Sequence, residues 1–190
     1  MTASTHTQTP PVDSHAFGAI EGDHWIEMLE DGTHVLIRPL RPDDRERERR
    51  FIQRLSPASR RRRFLGEVGE VSPALLDQLM NVDHHDTMAF VALVHDNGEL
   101  REVGISRYGA DREGERCECA VTVADDWRHR GLAVALMHHL IAVARHEGFK
   151  ALYSIDSAEN DDMRDLAGYL GFARSPDPND PTLAIHTLRL

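Results

Sequence analysis

The sequence predicts a mixed α/β (α+β) domain, a mostly antiparallel sheet of about six or seven strands with helices on both faces. Three observations carry this. Residues 24–40, HWIEMLEDGTHVLIRPL, read as two strands joined at Asp31-Gly32, a strong hairpin signal. Residues 88–124 hold three further β-rich stretches separated by turns, an antiparallel meander. From residue 115 onward strands alternate with amphipathic helices. A chain of 190 residues fits one such domain with a real core, and a tail besides.

Each element has a local reason. Pro42-Asp43-Asp44 opens a helix through about Leu55. Proline suits a first turn, where its missing N–H is no loss, and acids there meet the positive helix end. Ser56-Pro57 and Ser72-Pro73 open two shorter helices, each with a serine N-cap. MAFVALVH (88–95) is a continuous apolar run, a strand buried on both faces. Asn97-Gly98 makes a turn, and REVGISRYG (101–109) and ERCECAVTVA (115–124) follow as strands. Leu132, Leu136, Leu140 and Val143 recur at helical spacing, and Gly148 supplies the C-cap. ALYSIDSA (151–158) is a strand and 161–170 a helix. Pro176, Pro178 and Pro181 mark a loop before a last strand, TLAIHTLRL.

Composition narrows the function. Hydrophobic residues make up 41%, an ordinary globular share. No apolar run approaches the ~18 residues that span a bilayer, so no membrane partner is expected. The first fifteen residues have neither a basic start nor an apolar core, and residues 1–20 read as a disordered tail before a single domain over 21–190. The net charge of -10 argues against nucleic acid as a partner. Arg60-Arg61-Arg62-Arg63 pulls the other way, and reads as a solvated helix face or, alternatively, a substrate-docking patch. Cys117 and Cys119 are the two cysteines, on one face of a strand where an ordinary disulfide has no geometry. They read as small strand residues of a cytoplasmic protein. His84-His85 and His138-His139 complete no metal spacing, and no metal is expected.

One stretch stands out: DDWRHRGLAVAL (125–136) gathers cations at a helix start in a net-acidic chain. A helix start has unpaired N–H groups and a partial positive charge, a ready site for phosphate. Gly131 lets the backbone approach a ligand closely. Arg128 and Arg130 can add charge-assisted hydrogen bonds. The stretch lacks both the P-loop ending and the GxGxxG fingerprint; an arginine-rich solvent turn is the alternative. On the strand before it, alternation puts Glu118 on the face opposite both cysteines.

Arg128-His129-Arg130-Gly131-Leu132-Ala133 resembles the Arg/Gln-x-x-Gly-x-Gly/Ala signature of the GNAT acetyltransferases. Ala158-Glu159-Asn160 at a strand end and the closing Leu170-Gly171-Phe172 fit the same family. The resemblance spans roughly residues 35–190 and is strongest over 115–173. More narrowly, IRPLRPDD, RLSPASRRRRF, SPALLDQL and NVDHHDTMAFVAL look like the acetyltransferase domain of bacterial Pat-type protein lysine acetyltransferases. That domain is often fused to a nucleotide-binding or CoA-ligase-like region, for which this chain has no room, so a stand-alone relative is expected.

The resemblance implies acetyl-CoA as co-substrate, its pyrophosphate held by Arg128, His129, Arg130, Gly131, Leu132 and Ala133. It implies backbone N–H groups around Val121, Thr122 and Val123 polarising the thioester carbonyl, and Asn160 touching the pantetheine arm. An ordinary N-cap role for Asn160 is the alternative, and the two can coexist. Glu118 is the expected general base, against the alternative of a salt-bridged or edge-exposed glutamate. Many members place a tyrosine four residues before the closing glycine; that position is Ala167 here. Tyr169 lies about 200° further around the helix and is expected to face elsewhere. The thiolate is then protonated by water or by the nucleophile's own proton.

The expected function is an acetyl-CoA-dependent N-acetyltransferase moving acetyl directly to a primary amine, a protein lysine first. A small amine acceptor and a non-catalytic acyl-CoA-binding sensor are the alternatives. An acyl-cysteine on Cys117 or Cys119 is disfavoured, since no histidine is identifiably placed beside either. Monomer and homodimer both stay open.

Overall fold

The computed structural model describes residues 24–64 and 71–190; the expected tail over 1–20 lies outside the described residues. The opening hairpin is β1 (Trp25–Met28) and β2 (His34–Pro39), turned through Gly32 at φ +82°. A single helical turn over Pro42–Asp44 leads into α1 (Arg45–Arg54). Next come α2 (Pro57–Phe64) and α3 (Pro73–Met80). The serine before each proline accepts a backbone N–H, Ser56 from Ser59 at 3.2 Å and Ser72 from Leu75 at 3.1 Å. The meander is β3 (Thr87–Asp96), β4 (Glu99–Ala110) and β5 (Arg116–Val123). After it run α4 (Leu132–His146), β6 (Ala151–Ser157), α5 (Asp161–Tyr169), β7 (Ala173–Pro176) and β8 (Leu183–Arg189).

The strands form one eight-stranded sheet in the order β1-β2-β3-β4-β5-β6-β8-β7. Every neighbouring pair is antiparallel except β5 and β6, which are parallel and joined by the α4 crossover. β7 differs from expectation: the prolines predict a loop around it, yet 173–176 is an edge strand on β8. All four of its residues are exposed, so it shows no apolar alternation. Its proline sits where an edge strand tolerates a missing donor.

The two faces of the sheet are assigned by contacts. A Cβ on Gly104 would lie 3.0 Å from Leu136, and Ser106 donates to the Leu136 carbonyl at 3.1 Å, so this side of β4 faces α4. Their partners across the ladder, Val123 and Val121, share that side, and alternation adds Cys119 and Cys117. Arg107, on the other side, reaches the Leu79 carbonyl in α3 and Glu48 in α1. Glu118 pairs with Gly109 and therefore lies on the α1 side, opposite both cysteines.

Most important for function is where pairing stops. β5 and β6 pair at Arg116–Ala151, Cys117–Leu152 and Glu118–Tyr153. Beyond that point β5 stays bonded to β4 as far as Val123, and β6 to β8 as far as Ser157. The two strands part, and the sheet opens between them.

Candidate active site

The parting of β5 and β6 makes a cleft of about 560 Å³. One wall is β5 from Glu118 to Val123; the other is β6 from Ser154 to Asp156. The first turn of α4 closes one end, and α2 and α5 flank the mouth.

The cationic turn sits at that end. A short helical turn over Asp125–Trp127 precedes it. His129 then takes φ +57° and Gly131 φ +82°, and α4 begins. Glycine is needed at 131 on two counts. L side chains rarely adopt this φ, and a Cβ would lie 3.3 Å from Glu30. Leu132 and Ala133 present the first helical N–H groups beside it.

The two arginines part company. Arg128 lines the cleft and is fixed by the Ser59 hydroxyl at 2.7 Å and by Asp125 at 3.1 Å. Burial alone would raise the Asp125 carboxyl, but Ser59, Ser56 and Arg128 outweigh it and hold the group below the usual aspartate range. Arg130 is not part of the cleft wall. It turns to Asp31 at 3.1 Å in the hairpin loop and lies over the Trp127 ring at 4.7 Å. The other residues singled out from the sequence all line the cleft: Glu118, Val121, Thr122, Val123, Arg128, His129, Gly131, Leu132, Ala133 and Asn160. Asn160 also accepts the Met163 N–H at 3.4 Å, so it caps α5 while facing the cleft.

Glu118 stands exposed on the wall where the ladder ends. Its charge reaches Tyr153, whose hydroxyl is pushed up by burial first and by Glu118 second. Burial pushes both cysteine thiols up to about 12, which leaves neither as a ready nucleophile.

Tyr169 differs from expectation. It is 75% exposed and stands at the rim of this same cleft. The helix turn separates it from Ala167, which is 1% exposed in the core and does not line the cleft. Arg62 and Arg63 also line the cleft, so the arginine run is more than a solvated face. Asp156 on β6 lines it too and belongs to no sequence motif, although an acid in an otherwise weakly polar strand, ALYSIDSA, is a signal. One member of each histidine pair is held by a carboxylate: His85 bonds Glu147 at 2.6 Å and His139 bonds Glu27 at 2.9 Å. Among the described residues no cluster of three or more His, Cys, Asp or Glu could hold a metal ion.

A glycine-led helix start beside an arginine is a ready anion site, and here it lies at the end of the opening between a parallel pair of strands. The sequence model of the Acetyltransferase (GNAT) family matches residues 46–172, and the chain belongs to that family. It is 64% identical over 177 residues to acetyltransferase PA5475 of Pseudomonas aeruginosa, covering 93% of this chain and 95% of that protein. It is 32% identical over 147 residues to acetyltransferase Pat of Mycolicibacterium smegmatis, covering 76% of this chain but 43% of that longer protein. Among solved structures, the GNAT domain of S. lividans PAT superposes with a TM-score of 0.80 at 23% identity, covering 88% of this chain and 97% of that one. The fold class and the family read from the sequence both hold. Enzymes of this family use acetyl-CoA. No helix among the described residues is long and apolar enough to cross a membrane.

Proposed function

We propose that this chain moves the acetyl group of acetyl-CoA directly to a primary amine, a protein lysine first, with Glu118 as general base. One observation carries the reading: Glu118 is the last residue of β5 paired to β6, exposed where the cleft opens. The phosphate turn receives the pyrophosphate on Arg128, on His129 and on the backbone of Gly131, Leu132 and Ala133. The arm lies between the parted strands. Backbone N–H groups of the Val121, Thr122 and Val123 stretch polarise the thioester carbonyl. Asn160 meets the arm at the start of α5. Glu118 takes a proton from the incoming ammonium, the free amine attacks the carbonyl carbon, and the C–S bond breaks.

A lysine from another protein can reach an exposed glutamate in an open cleft. A net charge of -10 suits a cationic acceptor, and the likeness of the 37–93 region to Pat-type domains supports a protein substrate. Two free, buried cysteines accord with a cytoplasmic place of action. The test is thiol release from acetyl-CoA with a panel of amines, followed by intact-mass measurement on candidate proteins. Mass gains of one acetyl group on lysine support the reading. Turnover confined to free amines moves the acceptor to small molecules. CoA binding with no turnover makes the chain a sensor.

A further inference from the structure

Acetyl transfer with Glu118 as base leaves the proton that the departing thiolate takes up without a side-chain donor; an assignment of that donor rests on the transfer reaction. The register places a second carboxyl for it. Cys117 pairs with Leu152 and Glu118 with Tyr153 in the parallel ladder. Alternation then puts Leu152, Ser154 and Asp156 on the α4 side of the sheet, and Glu118 and Tyr153 on the α1 side. The phosphate turn opens α4. On the transfer reading, an arm that leaves this turn would enter the opening on the Asp156 side, and an amine activated by Glu118 would arrive from the other; both carboxyls line the one cleft.

Asp156 stands beyond the last β5–β6 pair, on the cleft wall. Around it are Cys119 from β5, His186 and Ser154 from the β6–β8 pair, and Arg63 from α2; Arg63 and Cys119 also feel the charge of Glu118. Burial pushes its carboxyl above the usual aspartate range, against the pull of Ser154, His186 and Arg63. Its carboxyl is held in the opening itself, where burial favours the protonated form. Ala167, buried at 1% exposure, has no proton to give, and Tyr169 is 75% exposed at the rim.

We propose that Asp156 is the general acid of the transfer, protonating the coenzyme A sulfur as the C–S bond breaks. The amine's electron pair forms the C–N bond, and the C–S pair passes to sulfur, which takes the Asp156 proton. The ammonium gives up its protons to Glu118 and to water. Between turnovers Glu118 releases its proton to water and Asp156 takes one back, so the cycle releases a single proton net.

The test uses the full chain and the variants Asp156→Asn and Asp156→Glu. CoA affinity is measured by calorimetry, and kcat is followed from about pH 4 to about pH 10 with acetyl-CoA and one amine. Asp156→Asn should keep CoA affinity within about two-fold and lose about ten- to a hundred-fold in kcat, the low end for an acid because a thiolate is a tolerable leaving group. It should also lose the descending limb that ionisation of Asp156 gives the parent's kcat profile. Asp156→Glu should recover part of the rate and keep a descending limb. If Asp156→Asn does not fold, Asp156→Ser is held to the same outcome. Parent-like kcat and pH profile in the Asn variant overturn the proposal. So does a parallel loss of CoA affinity and kcat in both variants, which marks a positioning role. A parent that binds CoA but acetylates no amine overturns the transfer reading itself, and this inference with it.

Discussion

Arg128 donates to the Ser59 hydroxyl at 2.7 Å, and that hydroxyl donates in turn to Asp125 at 2.6 Å. The contact joins the phosphate turn to α2 across 69 residues of sequence. It fixes the rotamer of a long, mobile side chain, so less conformational freedom is lost when an anion binds. Ser59→Ala removes the anchor while leaving Glu118 untouched. CoA affinity should fall about three- to ten-fold, near the ~1 kcal/mol of one hydrogen bond. Calorimetry with CoA checks this, and unchanged affinity would show that Arg128 needs no anchor.

Gly131 carries the turn's backbone. Gly131→Glu places a side chain at φ +82°, crowds Glu30 and adds a negative charge at the proposed pyrophosphate site. CoA affinity should drop at least about ten-fold while circular dichroism stays that of a folded sheet. Parent affinity in this variant would move the pyrophosphate site elsewhere.

Glu102 is fully buried, and burial first, then the charge of Glu48, raise its carboxyl well above the usual glutamate range. The folded chain therefore holds this proton more tightly than the unfolded chain. Stability from this group is full below the ordinary glutamate pKa and declines as pH rises from there toward the raised value. Glu102→Gln mimics the protonated form and cannot ionise. Its Tm should exceed the parent's at pH 8, and the gap should close by about pH 4. A constant gap across that range would mean that packing, not ionisation, separates the two proteins.

Much of the site is legible in the sequence because its signals are local. The turn at Arg128 to Ala133 follows from adjacent residues, and the side on which Glu118 falls follows from alternation along one strand. What stays hidden depends on distant partners. Arg130 looks equal to Arg128 in the sequence, yet Asp31, 99 residues away, draws it off the cleft. β7 carries no pattern because every residue in it is exposed. Asp156 joins the site only because two strands, linked through a whole helix, stop pairing after Glu118 and Tyr153.

The central claim is that Glu118 takes the proton from the amine. A lysine ammonium, with a pKa near 10.4, is almost wholly protonated at pH 7. General-base help typically amounts to ~10²–10⁴-fold. The most direct measurement is rate against pH for the parent and Glu118→Gln with one amine acceptor, at saturating acetyl-CoA. The variant is nearly isosteric and should keep the fold and CoA affinity. Its turnover should fall by about that factor near pH 7, and the deficit should shrink as pH rises and free amine becomes common. Equal rates across the range would remove Glu118 from the chemistry, and a deficit that stays constant with rising pH would make it a positioning residue instead of a base.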